Sequence, residues 1–83
     1  MQIKLEQTCG ACPEQYDATD ETGRQVGYLR LRHGCFTVEC PDVCGTLVYS
    51  TMPEGDGIFK ESERDTFLLE AVLAIEKFYT IHE

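Results

Sequence analysis

Apolar and polar residues alternate along residues 26–40 (VGYLRLRHGCFTVEC), which is the period of a half-buried β-strand. When this stretch is folded back at His33 and Gly34, Leu31 faces Phe36, and the remaining apolar pairs fall on the same side while the arginines fall on the other. A slip of one residue would mix the two faces, so the pattern selects this register. The turn requires positive φ values, which Gly adopts freely and His tolerates better than most residues. The stretch therefore predicts a β-hairpin.

Residues 1–20 alternate in the same way and predict a second hairpin, with Gly10 and Ala11 at its tip. Gly at the first turn position suits a type II′ turn. In this register Lys4 faces Asp17, and opposite charges across a strand pair give a modest stabilisation. The apolar residues of this hairpin again share one face.

Two more turns complete a predicted meander. Thr22 and Gly23 would connect the two hairpins. The segment after Cys40 would then turn the chain into a fifth strand over residues 46–50, with Cys40 opposite Gly45. The predicted buried face of the sheet comprises Ile3, Leu5, Tyr16, Ala18, Leu29, Leu31, Phe36, Val38, Leu47 and Tyr49. Agreement among independent turns is stronger evidence than any single turn.

The last part of the chain changes to a helical period. A continuous stripe that would cover the sheet is formed by Leu68, Ala71, Val72, Ile75, Phe78 and Tyr79. Ser62 and Asp65 have capping-box spacing, which predicts Ser62 as the N-cap. Leu69 and Leu73 fall outside the stripe, and two interpretations stay open. They belong to a wide core-facing surface under an edge strand, or they form a small apolar patch for a partner or a second copy.

These elements predict a single α+β domain over residues 1–83. An antiparallel β-meander of about five strands occupies residues 1–51, a loop occupies residues 52–61, and one C-terminal α-helix occupies residues 62–81. At 83 residues, a single core leaves little surplus stability.

The chain has 15 acidic residues against 7 Lys and Arg, a formal net charge of −8. Nucleic acids and acidic membrane surfaces require clustered cations, so the charge argues against binding to either. No apolar run approaches a membrane span and the first residues lack a secretory h-region, so we expect a cytoplasmic protein. An acidic surface suits docking on a basic surface of another protein. The candidate partner contacts are Glu14, Asp17, Asp20 and Glu21, or Glu54, Asp56, Glu61 and Glu63, and a homodimer would use Leu69 and Leu73.

Arg30 and Arg32 share the outer face of the predicted sheet with Tyr28. Basic and aromatic residues on a sheet can bind RNA by stacking. The patch contains only two arginines, lies beside Asp17 and Glu39, and has no RNP motif. We therefore favour a solvated face on which these charges form ion pairs.

Five cysteines are many for this length, and two pairs have short spacings, Cys9 with Cys12 and Cys40 with Cys44. Four thiolates bind Zn²⁺ tetrahedrally in zinc ribbons. In the predicted meander, however, the first and fourth turns lie at opposite ends of the sheet, and a seven-residue strand spans about 23 Å. A shared four-cysteine site would need residues 26–40 to run straight.

Other states of the thiols stay open. Two separate metal sites are conceivable at the two rims of the sheet, one with Cys9, Cys12 and His33, the other with Cys40, Cys44 and His82. Ordinary buried thiols are the simpler interpretation. A redox role for Cys9 is disfavoured because a strand, not a helix, follows the motif. No nucleophile and base stand in a recognisable motif, so we predict no enzymatic activity, with zinc as the one cofactor considered.

The blocks TCGACPEQYD, QVGYLRLRHG, VECPD, EGDGIF and ERD resemble small proteins of bacteriophage and prophage origin, over most of the chain. The sequence CPDVCG departs from a tighter CPxCG-like knuckle, which weakens zinc binding at Cys40 and Cys44. The resemblance implies a context in the host cytoplasm, where small acidic phage proteins bind host proteins, including as inhibitors of defence such as anti-CRISPR proteins. The alternative is a zinc-stabilised structural module of a larger assembly.

Overall fold

A computed structural model describes residues 1–10 and 13–82, with the backbone alone at residue 82. It contains β1 (Lys4–Cys9), β2 (Glu14–Thr19), β3 (Gln25–Arg32), β4 (Cys35–Cys40), β5 (Thr46–Thr51) and α1 (Glu61–His82). The strands form a single sheet in the order β1-β2-β3-β4-β5, and each neighbouring pair is antiparallel. The predicted α+β meander with one C-terminal helix is confirmed.

The hairpin of β3 and β4 has the predicted register. Leu31 lies opposite Phe36, and the pairing continues in step to Tyr28 opposite Glu39. His33 and Gly34 have φ values of 53° and 74°, and two positive values in succession are the signature of a type I′ turn. Here the hydrophobic alternation and the turn chemistry agree, and each fixes the same register.

The hairpin of β1 and β2 is displaced by two residues from the predicted register. Lys4 lies opposite Thr19, not Asp17, and Glu6 takes the place opposite Asp17. The predicted charge pair between Lys4 and Asp17 is therefore wrong. The connection between Cys9 and Glu14 is longer than a two-residue turn, and its predicted tip at Ala11 lies outside the described residues. The even displacement keeps residues 4–7 on their predicted faces, and a β-bulge after Gln7 then places Cys9 opposite Gln15.

The turn between β2 and β3 keeps the predicted pairing in the strands but not at its tip. Ala18 lies opposite Gly27 as predicted, and a β-bulge then shifts Thr19 opposite Gln25. The backbone N–H of Asp20 donates to the Arg24 carbonyl at 3.0 Å. The expected two-residue turn is therefore replaced by a wider loop.

The pairing of β4 with β5 corrects the prediction for Leu47. Cys40 lies opposite Thr46, not Gly45, and a β-bulge in the region of Glu39 places Leu47 opposite that residue. Leu47 is 56% exposed, whereas Val48 and Tyr49 pack against the core. One extra residue in a strand pair reverses which side chains point inward, so Leu47 does not belong to the buried face.

The helix α1 begins one residue earlier than predicted, at Glu61. The carbonyl of Lys60 accepts from the backbone N–H groups of Glu63 (3.0 Å) and Arg64 (3.1 Å). The Glu63 carboxylate accepts from the Lys60 N–H at 3.0 Å. Lys60 is therefore the N-cap, and the prediction of Ser62 is wrong. The reciprocal Glu of a capping box is present, but a backbone carbonyl acts without a Ser or Thr side chain.

The helix packs on one side of the sheet. Ala71 and Ile75 are buried, while Leu68, Val72, Phe78 and Tyr79 are half-buried. Phe67, absent from the predicted stripe, stacks on Phe59 with ring centroids 5.8 Å apart. In the described part of the chain, no helix is both long and apolar enough to cross a membrane.

Leu69 and Leu73 are 59% and 53% exposed. The interpretation that placed them on a wide core-facing surface is therefore wrong.

Candidate functional site: the open face of the sheet

The side of the sheet turned away from α1 is the open face. Along β2 and β4, buried residues alternate with half-buried ones. The half-buried set includes Asp17 and Glu39, and the same side of β3 presents Tyr28 and Arg30, because residues directly opposite in a sheet share a face. This face therefore presents polar and charged side chains from neighbouring strands of the sheet.

An acidic row crosses the open face. Glu6 lies opposite Asp17, Asp17 opposite Tyr28, and Tyr28 opposite Glu39. We call Glu6, Asp17 and Glu39 the acidic row. In residues 1–10 and 13–82, none of its carboxylates forms an ion pair within 4.0 Å, and Asp17 accepts only a neutral hydrogen bond, from Gln25 Nε2 at 3.0 Å. The expected ion pairs with Arg30 and Arg32 are not formed there.

Tyr28 lies in the middle of the acidic row and responds to it. Burial raises the pKa of Tyr28, Arg30 lowers it, and the carboxylates of Asp17 and Glu39 raise it further, for a net increase. The phenol therefore stays protonated at neutral pH and remains a hydrogen-bond donor.

A cleft of about 540 Å³ opens where the sheet meets residues 54–60. We call it the arginine cleft, and its lining residues are Pro13, Gln15, Arg30, Arg32, His33, Asp56 and Gly57. Arg30 and Arg32 are two positions apart on β3, so both project from one side of the strand. The open face therefore has an acidic row beside a basic cleft.

Glu14, one of the predicted partner contacts, is fully buried. Its carboxylate accepts from Arg64 Nε at 2.9 Å and Nη2 at 3.2 Å, from the Phe59 N–H at 3.1 Å, and from the Tyr16 hydroxyl. The backbone N–H of Glu14 donates to the Gly57 carbonyl at 2.7 Å. Glu14 therefore joins β2, the loop and α1 inside the protein, and its prediction as a partner contact is wrong.

The surroundings of Glu14 set the protonation of the buried cluster. Burial acts to raise the pKa of Glu14, but hydrogen bonds from Arg64, Tyr16 and the Phe59 N–H outweigh it, so the pKa lies below its ordinary value. Burial and the Glu14 carboxylate raise the pKa of Tyr16 to about 12. The cluster therefore contains a carboxylate, a guanidinium and a neutral phenol at pH 7.

The carboxylates of Asp20 and Glu63 also accept hydrogen bonds within the protein. Asp20 accepts from the Thr22 hydroxyl and from the backbone N–H groups of Thr22 and Arg24, and the Thr22 hydroxyl is the main cause of its lowered pKa. Glu63 accepts from the Glu54 and Gly55 N–H groups at 3.0 and 2.8 Å. Both carboxylates hold loops, and their role as partner contacts stays a prediction.

The other predicted acidic contacts are dispersed. Glu21, Glu54, Asp56 and Glu61 are exposed. Glu21 accepts from the Gln2 N–H at 2.8 Å, Glu54 pairs with Lys60 Nζ at 3.0 Å, and Glu61 pairs with Arg64. Of the two predicted groups, only Asp17 belongs to the acidic row.

Cys9 lies at the opposite end of the sheet from Cys40 and Cys44, as the predicted turn at residues 33 and 34 requires. Cys9 ends β1 and Cys40 ends β4, and in a meander those ends are opposite. Cys12 and the His82 side chain lie outside the described residues. Among the residues that the structure does describe, no three His, Cys, Asp or Glu side chains are grouped for a metal ion. Zinc binding at a site with Cys9, Cys12 and His33, or at one with Cys40, Cys44 and His82, stays a prediction.

Cys40 and Cys44 differ in their access to solvent. Cys40 is buried, and burial raises its pKa to about 11. Cys44 is exposed in the loop between β4 and β5. Of these two thiols, only that of Cys44 is accessible to solvent.

Leu69 and Leu73 are both exposed. They lie on the side of α1 that is turned away from the sheet, because they are about half a helical turn from Ala71 and Ile75. This apolar patch is separate from the acidic row. A homodimer through it stays a prediction.

Comparisons with known proteins contribute no assignment. No protein-family model matches the chain, and neither the curated proteins nor the solved structures include a match. The site must therefore be interpreted from its own geometry.

Glu6 and Glu39 are the members of the acidic row that sequence reasoning missed. Their outward orientation follows from the alternation, which was available. The missing information was the register of β1 on β2, since the predicted register neutralised Asp17 with Lys4. Arg64 was missed as the partner of a buried acid because the two residues are 50 positions apart.

Proposed function

We propose that this chain is a non-enzymatic interaction protein whose acidic row docks on a basic surface of a host protein. The phage resemblance supplies the context, in which the partner is a defence or nucleic-acid-handling protein and this chain is its inhibitor. A protein that normally binds phosphate offers the required cluster of cations. An acidic, pre-formed sheet face can occupy such a surface by charge complementarity.

One observation supports this proposal most directly, the placement of Glu6 directly opposite Asp17. Like charges directly opposite each other in a sheet are destabilising, by up to about 1 kcal/mol. No cation lies within 4.0 Å of either carboxylate in the described residues. A basic partner would supply that cation, so the repulsion in the free protein would become attraction in the complex.

The test uses the double variant Glu6→Gln with Asp17→Asn. Removing the repulsion should stabilise the protein by up to about 1 kcal/mol in urea unfolding. The same variant should lose the protein that the natural chain retains from a bacterial lysate at low salt. A gain in stability together with a loss of binding is expected of residues kept for function at a cost to the fold.

The matched control is Asp65→Asn with Glu76→Gln on α1, which changes the net charge by the same amount. It should retain the partner. Equal losses in both double variants would mean that net charge alone governs retention, and unchanged retention in the open-face variant would exclude the acidic row.

A further inference from the structure

Some basic side chains of this acidic chain form ion pairs with carboxylates, and others do not. Of 7 Lys and Arg, Arg24, Lys60 and Arg64 form ion pairs with carboxylates. Arg30 and Arg32 form none within 4.0 Å in the part of the chain that the structure describes. Lys4 and Lys77 form none there either, but Arg30 and Arg32 line the same cleft, which concentrates positive charge at one place in a chain with a net charge of −8.

These guanidinium groups line a cleft whose opposite wall is held in place. The Gly57 carbonyl accepts from the Glu14 N–H at 2.7 Å. The Glu63 carboxylate holds the Glu54 and Gly55 N–H groups at 3.0 and 2.8 Å. The loop is therefore fixed from both ends, and a binding site on it is pre-organised, which lowers the entropic cost of binding.

We propose that the arginine cleft binds a small phosphate monoester, with Arg30 and Arg32 as the ligands of the phosphate group. A guanidinium presents a planar fork that matches phosphate oxygens in two parallel hydrogen bonds. Two such groups match the charge of a phosphate monoester, about −1.5 to −2 at pH 7, better than the single charge of a carboxylate. The Gln15 amide and the His33 imidazole line the same cleft and add further hydrogen-bonding groups.

The volume and the remaining charge indicate the rest of the ligand. A cleft of about 540 Å³ falls within the range of small-molecule sites, about 300–1,000 Å³, and inorganic phosphate alone would leave most of it empty. Asp56 also lines the cleft and can accept a hydrogen bond from a hydroxyl or amino group of the ligand. The acidic row beside the cleft repels long polyanions, which selects a small ester such as a nucleoside monophosphate.

Calorimetric titrations of the full chain at low salt test this proposal with adenosine monophosphate, inorganic phosphate and adenosine. Adenosine monophosphate should bind with a Kd of about 1 mM or tighter, and adenosine should not bind. Arg32→Gln and Arg30→Gln should each weaken binding at least about tenfold, because each removes charge-assisted hydrogen bonds. Lys4→Gln, which removes one positive charge elsewhere on the chain, should change the Kd less than about twofold by the same reasoning.

Three outcomes would overturn the proposal. Adenosine could bind as tightly as its monophosphate, inorganic phosphate could bind as tightly as the monophosphate, or Lys4→Gln could weaken binding as much as Arg32→Gln. Circular dichroism of each variant checks that the sheet is intact. The variant of Glu6 and Asp17 should still bind adenosine monophosphate, so this site and the docking of a basic partner can fail independently.

Discussion

Glu14 and Glu6 lie on neighbouring strands, yet their surroundings are opposite. Glu14 is fully buried on the covered side of the sheet and accepts two hydrogen bonds from Arg64. Glu6 lies on the open face, opposite another carboxylate, Asp17. A buried charge must be paired because water cannot solvate it, whereas an exposed charge can stay unpaired at small cost. The first carboxylate is therefore part of the fold, and the second is available to a partner.

The largest effect on stability should come from Glu14→Gln, which breaks the buried pair of Glu14 and Arg64. The amide cannot accept all the hydrogen bonds that the carboxylate accepts, and Arg64 would lose its buried partner. We expect the free energy of unfolding in urea to fall by about 3–5 kcal/mol. Glu61→Gln removes an exposed carboxylate from the same arginine and should cost far less. Equal losses of unfolding free energy in the two variants would show that burial does not make Glu14 more important for stability than Glu61.

The next largest loss of stability should come from filling the space between the sheet and the helix at Gly27. A Cβ atom there would lie 2.6 Å from Ile75 Cδ1, and Ile75 is fully buried. Gly27→Val should therefore destabilise the protein by about 1–3 kcal/mol through overpacking. Shortening the neighbour with Ile75→Val should recover part of this loss. If the two losses simply add in the double-mutant cycle, the contact does not limit packing.

The carboxylates of Glu14 and Asp20 should also determine how the free energy of unfolding changes at acidic pH. The folded-state pKa values of Glu14 and Asp20 lie below their ordinary values of 4.5 and 3.8. Their stabilisation is thus fully present above the ordinary pKa and is lost as the pH falls through the lower folded-state pKa. Unfolding free energies measured from pH 7 to pH 3 should decline below about pH 4.5.

The acid dependence has its own control in two substitutions. Asp20→Asn removes a carboxylate with a lowered pKa, so the decline should become shallower. Asp65→Asn changes an exposed helix residue and should leave the decline almost unchanged. An Asp20→Asn variant with the slope of the natural protein would contradict the assignment.

The smallest effect does not involve stability. It is the difference between two thiols in their rate of chemical modification. Burial raises the pKa of Cys40 to about 11, while Cys44 is exposed. Iodoacetamide at pH 8 should therefore modify Cys44 well before Cys40, because the thiolate is the reactive form. Peptide mass mapping against time measures the two rates. Faster modification of Cys40 would place that thiol on the solvent side.

Prediction from the sequence was most accurate where two local signals agreed. At His33 and Gly34, the turn residues and the alternation required the same register, and that register is observed. Between β1 and β2 the predicted turn at Gly10 and Ala11 set a register that is not observed, and alternation could not reveal the error because it repeats every two residues. A displacement by two positions was therefore invisible, although it replaced a predicted attraction with a repulsion at Asp17.

The helix also shows that local sequence patterns predict only part of the structure. Its period predicted Ala71 and Ile75 as buried, and both are. Its first residue was misplaced because the N-cap residue, Lys60, has no Ser, Thr, Asp or Asn side chain, and only the reciprocal hydrogen bond to Glu63 marks the position.

The sequence by itself determined the α+β class, the strand order and the face on which each residue of the central hairpin lies. Those properties follow from periodicity, and periodicity is a property of neighbours along the chain. Only the tertiary structure decided that Glu14 meets Arg64 and that Glu6 faces Asp17. Both contacts join residues distant in sequence, and their sign and strength depend on burial and register, which arise only when the strands and the helix are assembled.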